Sequence, residues 1–359
     1  MNICFIGPAG STHLEKWCKY LHHFGHSITI ISLVDYNSSY ADVISLTKDY
    51  DWKSSDLKKA ISILQGRKIR KIIKSLNPDV INVHYATSYG LMAAISGIHG
   101  YILSVWGADV YDFPHKSFIH RLLLEYSLRK AKHIFSTSEV MREETLQYTS
   151  KSIDITPFGV DMELFNPNKR NRSDDKIVIG TVKTLSEKYG ISYMIKAFSK
   201  ACSFYPDKTM ELRIAGQGPD EIEYKNLVKT LHIEDKVSFL GFISQEEAAC
   251  EWANMDIGII YSTLESESFG VSAVEALASG VPVIISDVPG LLESTGHGDN
   301  SIVVPRKNQE QLDDSLIQLI RDDELRLNLS RKGRNYVCNR FSAEKCFRDI
   351  ESLFRLYSK

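Results

Sequence analysis

No stretch of the chain approaches the roughly 20 apolar residues needed to cross a bilayer. The opening MNICFIGPAG has no cationic start, and its apolar run is too short for a secretory leader. A cytoplasmic protein is therefore expected. CxxC pairs are missing too. Cys4, Cys18, Cys202, Cys250, Cys338 and Cys346 are scattered, which excludes a disulfide-framed scaffold, argues against a zinc site and suits reduced thiols. Nor is there an excess of charge. Against 45 acidic residues stand 43 basic ones, a formal net charge of −2, so no chain-wide basic field points to nucleic acid. Low-complexity tracts and repeats of fixed period are absent, which sets aside disordered and solenoid architectures.

What is present is an ordinary globular composition, 43% hydrophobic and 25% charged, over a length of 359 residues that suits two domains. Short apolar runs alternate with longer amphipathic segments: residues 2–6, 28–34, 80–83, 102–105, 134–136 and 153–156. Runs without polar alternation suit parallel strands buried on both faces, with helices between them. The stretch NPNKRNRSDDK (166–176) then breaks the pattern and reads as an interdomain linker. A second series follows at 177–182, 212–215, 237–240, 257–261, 283–285 and 302–304. Two Rossmann-like halves are expected, over 1–166 and 174–342. A last helix near 343–359 is expected to pack back on the first half.

Two loops carry the strongest chemistry. In YSTLESESFGVSAVEALASGVPVIIS (261–286), Gly270 opens a helix after a polar loop. The amides of Phe269, Gly270 and Val271 are expected to lie open at the helix start, where a helix dipole attracts anions. Glu267 and Glu275 can point into one cleft beside them, where carboxylates suit hydroxyl groups; a loop glutamate and a solvated helical glutamate are the plain alternative. In GTVKTLSEKYG (180–190), Lys183 and Lys188 leave a strand end on one loop. Two ammonium groups there can neutralise a diphosphate, each charge-assisted contact giving about 1.5–3 kcal/mol; they can also be surface lysines. IAGQGP (214–219) places Gly216 in a tight turn after a strand, but neither it nor GPAGSTH (7–13) is a GxGxxG fingerprint.

Taken together, ESFGVSAVEALASGVPVI, GTVKTLSEKYG, RIAGQGPD, VSFLGFIS, TPFGVDMELF, PGLLE and the N-terminal STHLEKWCKYLHHFGHSITIIS resemble the blocks of glycosyltransferase family four. These are retaining, nucleotide-sugar-dependent enzymes of GT-B fold. The resemblance covers nearly the whole chain and is most specific in its second half. It implies an α/β protein of two facing Rossmann-like domains with the active site in the interdomain cleft. It implies transfer of a hexosyl or N-acetylhexosaminyl group, from a UDP-sugar ahead of GDP-mannose, to a glycan or lipid-linked acceptor in surface polysaccharide assembly, with no cofactor and no essential metal.

By the same resemblance, Glu275 binds the ribose and Glu267 the donor sugar. Ser268, Phe269, Gly270 and Val271 meet sugar and diphosphate, and Lys183 and Lys188 stabilise the leaving diphosphate. Phe242 and Ile243 meet the base beside Gly216, and Gly10 lets the first domain approach the phosphates. Lys183 stands where the family usually has Arg, a point charge instead of a fork. SVWGADVY (104–111) replaces a His-Gly-x-Asp block, with Trp106 for His; Asp109 matches and is expected at the sugar or acceptor. His13, His84 and Trp106 are the acceptor-side candidates. Related alternatives are a GT-B sugar-nucleotide epimerase and a catalytically silent partner subunit; a phosphorylase lacks a recognisable pyridoxal-lysine context.

Two clusters stand outside this assignment. His22, His23 and His26 look metal-like but straddle the end of a helix, so a metal site is not expected. Lys53, Lys58, Lys59, Arg67, Lys68, Arg70, Lys71 and Lys74 face only Asp56 within 53–74. Arg67, Arg70, Lys71 and Lys74 share one helix face opposite Ile69, Ile72, Ile73 and Leu76, a pattern suited to an anionic membrane surface or to a solvated face.

Overall fold

The structure is a computed structural model that describes residues 1–47, 65–172 and 175–358. It divides into two compact units, Met1–Phe158 with Ala343–Lys359, and Gly159–Ser342. The first unit runs β1 (Asn2–Ile6), α1 (Thr12–His23), β2 (Ser27–Ser32), β3 (Asp42–Ser45), α2 (Gly66–Leu76), β4 (Val80–His84) and α3 (Tyr89–Ser96). It continues through β5 (Ile102–Ser104), α4 (Ala108–Tyr111), α5 (Phe118–Lys130), β6 (His133–Ser136), α6 (Glu139–Leu146) and β7 (Ile153–Ile155). The second unit holds β8 (Ile177–Val182), α7 (Ile191–Phe204), β9 (Met210–Ala215), α8 (Glu221–Thr230), β10 (Val237–Gly241), α9 (Gln245–Ala253) and β11 (Ile257–Ile260). Then come α10 (Val271–Ala278), β12 (Val283–Ser286), α11 (Pro289–Thr295), β13 (Ile302–Val304), α12 (Gln309–Arg321) and α13 (Asp323–Phe341). The closing helix, α14 (Ala343–Tyr357), belongs to the first unit.

Both sheets are wholly parallel. Their orders are β3-β2-β1-β4-β5-β6-β7 and β10-β9-β8-β11-β12-β13, so each reverses direction beside its first strand. Such a reversal leaves a crevice at the carboxyl ends of the strands, where doubly wound proteins bind ligands. In the first unit the loops after β1 and β4 flank this point; in the second, those after β8 and β11 do.

Continuous apolar strands allow helices on both faces. In the first unit one core joins Ile69 and Ile73 of α2, Met92 and Ala93 of α3, and Leu124 and Leu128 of α5. The opposite core joins Leu14, Trp17 and Leu21 of α1 to Phe347, Ile350 and Phe354 of α14. There Phe347 packs edge-on to Trp17 at 5.7 Å and stacks on Tyr20 at 4.8 Å.

The polar stretch 166–176 is not a linker. It lies within the second unit, and the division falls between Phe158 and Gly159. Arg170 and Arg172 both pair with Asp256, whose carboxylate also accepts the Val178 amide, and the Asn171 amide donates to Asn254. The two arginines are thereby bound to the start of β8 and the approach to β11. Strand β3 was not foreseen from the sequence. It is a half-buried edge strand of four residues with no continuous apolar run.

Candidate active site

The loop after β8 is folded by backbone bonds before any side chain acts. The Lys183 amide donates to Ala215 and the Leu185 amide to Gln217, joining it to the turn after β9. A Cβ at Gly216 would lie 1.9 Å from the Lys183 carbonyl oxygen, so only glycine permits this approach. The Thr263 amide donates to the Lys188 carbonyl at 2.7 Å, tying the loop to the one after β11. The two loops flanking the switch point thus form one assembly.

Within it Lys183 Nζ meets Glu267 Oε2 at 2.8 Å, with both side chains nearly buried. Burial works against the Lys183 charge, but Glu267, with help from Glu275, outweighs it and holds the ammonium pKa above the ordinary lysine value. Burial likewise works against the Glu267 charge, and Lys183, Lys188 and the Gly270 amide together hold its pKa below the ordinary carboxylate value. Both groups are therefore ionised at neutral pH. The Tyr189 ring lies 4.5 Å from the Lys183 ammonium and 5.3 Å from that of Lys188, and Lys188 donates to the Ser266 carbonyl at 3.1 Å. Ser262 reaches Glu267 Oε2 at 3.4 Å.

The structure thus gathers Lys183, Lys188, Glu267 and Glu275 around one point. Glu275 is buried in α10 and bears electrostatically on Lys183. Ser268 and Phe269 are also buried, the Phe269 ring edge-on to Phe341 at 5.2 Å. One expectation is corrected. The Gly270 amide is not open at the helix start, because it donates to the Glu267 carboxylate. Glu265 is set aside by geometry: it is 66% exposed and pairs with Arg306 at 2.9 Å. Phe242 protrudes 79% exposed beyond β10, and Gly241 beside it accepts the Gly216 amide at 2.7 Å.

Residues missed in the sequence complete the site. Tyr189 stands between Lys188 and Gly190 in the same loop, a cue that cation–aromatic contacts could have supplied. A Cβ at Gly290 would lie 2.1 Å from the Glu267 carbonyl oxygen, so α11 presses on the Glu267 loop only because that position is glycine.

The corresponding point of the first unit is aromatic. His84, at the end of β4, is wholly buried among Phe5, Trp17 and Trp106, with ring centroids 5.1, 4.9 and 5.3 Å away. Neither ring nitrogen has a partner among the described residues, and burial pushes its pKa down to about 3. His84 is therefore a core histidine, not a surface for an acceptor. Asp109 is wholly buried as well; burial pushes its pKa up against the amides of Ala86, Trp106 and Gly107, which donate to its carboxylate at 2.8, 3.1 and 2.8 Å. Those bonds make it a positioning residue for the Trp106 loop instead of a sugar contact. His13 stacks on Phe158 at 4.0 Å and meets Trp106 edge-on at 5.7 Å; burial first, then Lys16, lowers its pKa to about 3. Gly10 takes φ +80°, and a Cβ there would lie 2.8 Å from the Tyr36 ring. Away from this point, the His26 ring contacts Glu351 at 3.0 Å and the N-terminus at 3.2 Å.

Two doubly wound units, one with buried opposite charges where its strand order reverses, define a GT-B-type protein. Residues 163–336 match the profile of the glycosyl transferases group 1, and residues 2–138 that of the glycosyl transferase 4-like proteins. The chain belongs to the group 1 glycosyltransferases of family-four type. It is 26% identical over 309 residues to N-acetyl-alpha-D-glucosaminyl L-malate synthase of Bacillus anthracis, covering 80% of this chain and 77% of that protein. To the capsular polysaccharide biosynthesis glycosyltransferase CapM of Staphylococcus aureus it is 25% identical, over 64% of this chain and 60% of the other. The crystal structure of Anabaena HepE in complex with UDP superposes with a TM-score of 0.79 at 17% identity, over 99% of this chain and 100% of that one.

Proposed function

We propose that the protein transfers a hexosyl or N-acetylhexosaminyl residue from a nucleotide-sugar, a UDP-sugar ahead of GDP-mannose, with retention of configuration. The buried Lys183–Glu267 pair beside Lys188, at the carboxyl ends of β8 and β11, carries this reading. Transfer breaks the bond between the anomeric carbon and the diphosphate oxygen. Charge develops on that oxygen, and fixed cations there act where they are needed. Lys183 and Lys188 supply them, and no essential metal is invoked. Glu275 takes the ribose hydroxyls, Glu267 a hydroxyl of the sugar, and the backbone of Ser268, Phe269 and Val271 the sugar and diphosphate, the Gly270 amide being held by Glu267. The backbone at Phe242 and Ile243 takes the base beside the Gly216 turn. The acceptor oxygen bonds the anomeric carbon from the face the diphosphate leaves, and the acceptor proton passes to the departing phosphate oxygen. No protein nucleophile is required.

The UDP in the HepE complex and the amino-sugar in the name of the Bacillus relative support this donor class. CapM supports a place in polysaccharide assembly, with a glycan or lipid-linked saccharide as acceptor. His13 and Trp106 are the acceptor-side residues kept in this reading. No helix among the described residues is long and apolar enough to cross a membrane, and the exposed basic face of α2 supports work beside an anionic membrane surface. Lys53, Lys58 and Lys59 lie outside the described residues.

A thermal-shift panel of UDP, GDP, ADP and CMP, with and without EDTA, tests the donor. A nucleotide at 100 times its Kd adds about 2.7 kcal/mol of stability. A shift by UDP that EDTA leaves unchanged is expected. No shift by any nucleotide favours a silent partner, and conversion of a UDP-sugar without acceptor favours an epimerase.

A further inference from the structure

Helix α5 has two apolar faces. Leu124 and Leu128 enter the core beside the buried Ser127. On the other side Phe118 is 73% and Ile119 67% exposed, with Leu122 and Leu123 exposed one turn later. At 3.6 residues per turn these four, with Tyr126, share one outward face, where a surface helix normally presents polar groups. That face ends in cations, since Arg129 and Lys130 both lie over the Tyr126 ring, at 5.6 and 5.5 Å.

The ridge has a charged neighbour. Helix α3 packs against both α5 and α2, and Ile95 of α3 is itself exposed and reaches to within 3.0 Å of where a Gly66 Cβ would stand. On α2, Arg67, Lys68, Arg70, Lys71 and Lys74 are all exposed, and the helix contains no acidic residue. Along α5 the acid is Glu125, bonded to Arg121 at 2.9 Å. One layer of the first unit thus joins an apolar ridge, left uncovered by the described residues, to a basic helix.

We propose that this layer docks on an anionic lipid bilayer, with α5 as the inserting helix. Phe118, Ile119, Leu122 and Leu123 enter the boundary between headgroups and acyl chains, and the α2 cations pair with lipid phosphates. Amphipathic helices bind bilayers by this division of labour, apolar side chains inserting while basic ones are drawn to the anionic surface. A second copy of the chain fits less well, because its own basic rim would meet Arg129, Lys130 and α2 like against like. The inference rests on the proposed acceptor lying at a membrane and assigns the surface that brings the protein there.

The test is flotation of the full chain with phosphatidylcholine vesicles, with and without phosphatidylglycerol. Wild type is expected to float with the anionic vesicles. The double variant Phe118→Ser/Leu122→Ser should weaken that binding by about tenfold or more, since both inserting side chains lose their apolar burial. Arg70→Glu/Lys71→Glu should abolish the preference for phosphatidylglycerol. With Phe118→Trp, brominated acyl chains should quench the new fluorescence. Absence of flotation, unchanged binding by the serine variant, or an unquenched Trp at 118 would each overturn the proposal. So would a dimer in vesicle-free solution that Phe118→Ser dissociates. The UDP shift should persist in all these variants; its absence from wild type would defeat the donor reading and leave the vesicle result standing.

Discussion

The two units share one strand order, 3-2-1-4 and onward, and so have the same crevice where direction reverses. They fill it in opposite ways. In the second unit the flanking loops bring an ammonium and a carboxylate together at 2.8 Å, with a second lysine and an aromatic ring beside them. In the first unit Phe5 of β1, Trp17 of α1, Trp106 after β5 and Phe158 after β7 gather around two histidines that burial keeps neutral. Topology therefore supplies a location and nothing more. The side chains decide whether it holds charge against a leaving group or seals a core.

The largest effect that could break this contrast lies at the charged point. Removing either member of a buried pair leaves its partner uncompensated, at a cost of about 3–5 kcal/mol. Lys183→Ala and Glu267→Ala should each lower kcat/KM by about 10²–10³-fold and lower the urea midpoint. A rate within a few-fold of wild type would remove the pair from catalysis. Next in size is Glu275→Ala. Loss of charged hydrogen bonds to a diol should weaken nucleotide binding by about 10- to 100-fold in calorimetry. Unchanged affinity would refute the ribose role.

A smaller effect separates the units by pH. Glu267 is held below the ordinary value of 4.5, so its contribution is present above that value and fades as pH falls through the lowered one. Lys183 is held above 10.5, so its contribution fades only as pH rises beyond that. His84 runs differently: its pKa falls from 6.5 to about 3, so the unfolded chain takes up the proton first as pH drops. Stability should therefore decline by up to about 1.4 kcal/mol per pH unit below pH 6.5, before the pair in the second unit weakens. Urea melts across that range should show the slope; His13, whose pKa burial also lowers to about 3, adds its own share, so His84→Phe should remove only the His84 part while costing at most about 1.5 kcal/mol at pH 7. An identical slope in the variant would mean that His84 is not its source. The smallest effect is expected from Glu265→Ala, which removes an exposed pair worth about 0–1 kcal/mol and should leave transfer rates unchanged.

Much of this was legible in the chain, for a physical reason. Parallel strands buried on both faces leave continuous apolar runs, so nearly every strand could be seen in advance; the half-buried edge strand β3 could not. Lys183, Lys188, Glu267 and Glu275 stood out because two strand-ending loops carried them at a glycine-marked helix start. Burial and partnership were not legible. His84 and Asp109 look like site residues by the family resemblance, and only the packed rings and the three donating amides show otherwise. Residues 166–176 look solvated until Asp256 is seen to bind Arg170 and Arg172. The Gly270 amide was expected to be open because a sequence does not show that a carboxylate three residues earlier folds back onto it.

Helix α14 closes the first unit from the far end of the chain. Phe354 lies 6.1 Å from Phe135 and 6.4 Å from Phe5, so β1 waits for residues that follow the whole second unit in sequence. During synthesis the second unit, contiguous in sequence, can become native while the first still exposes Phe5, Trp17 and Phe135. The order of maturation is then the reverse of the order of translation. A nascent chain stopped short of Ala343 would carry a finished nucleotide-side unit and an unfinished, aggregation-prone partner.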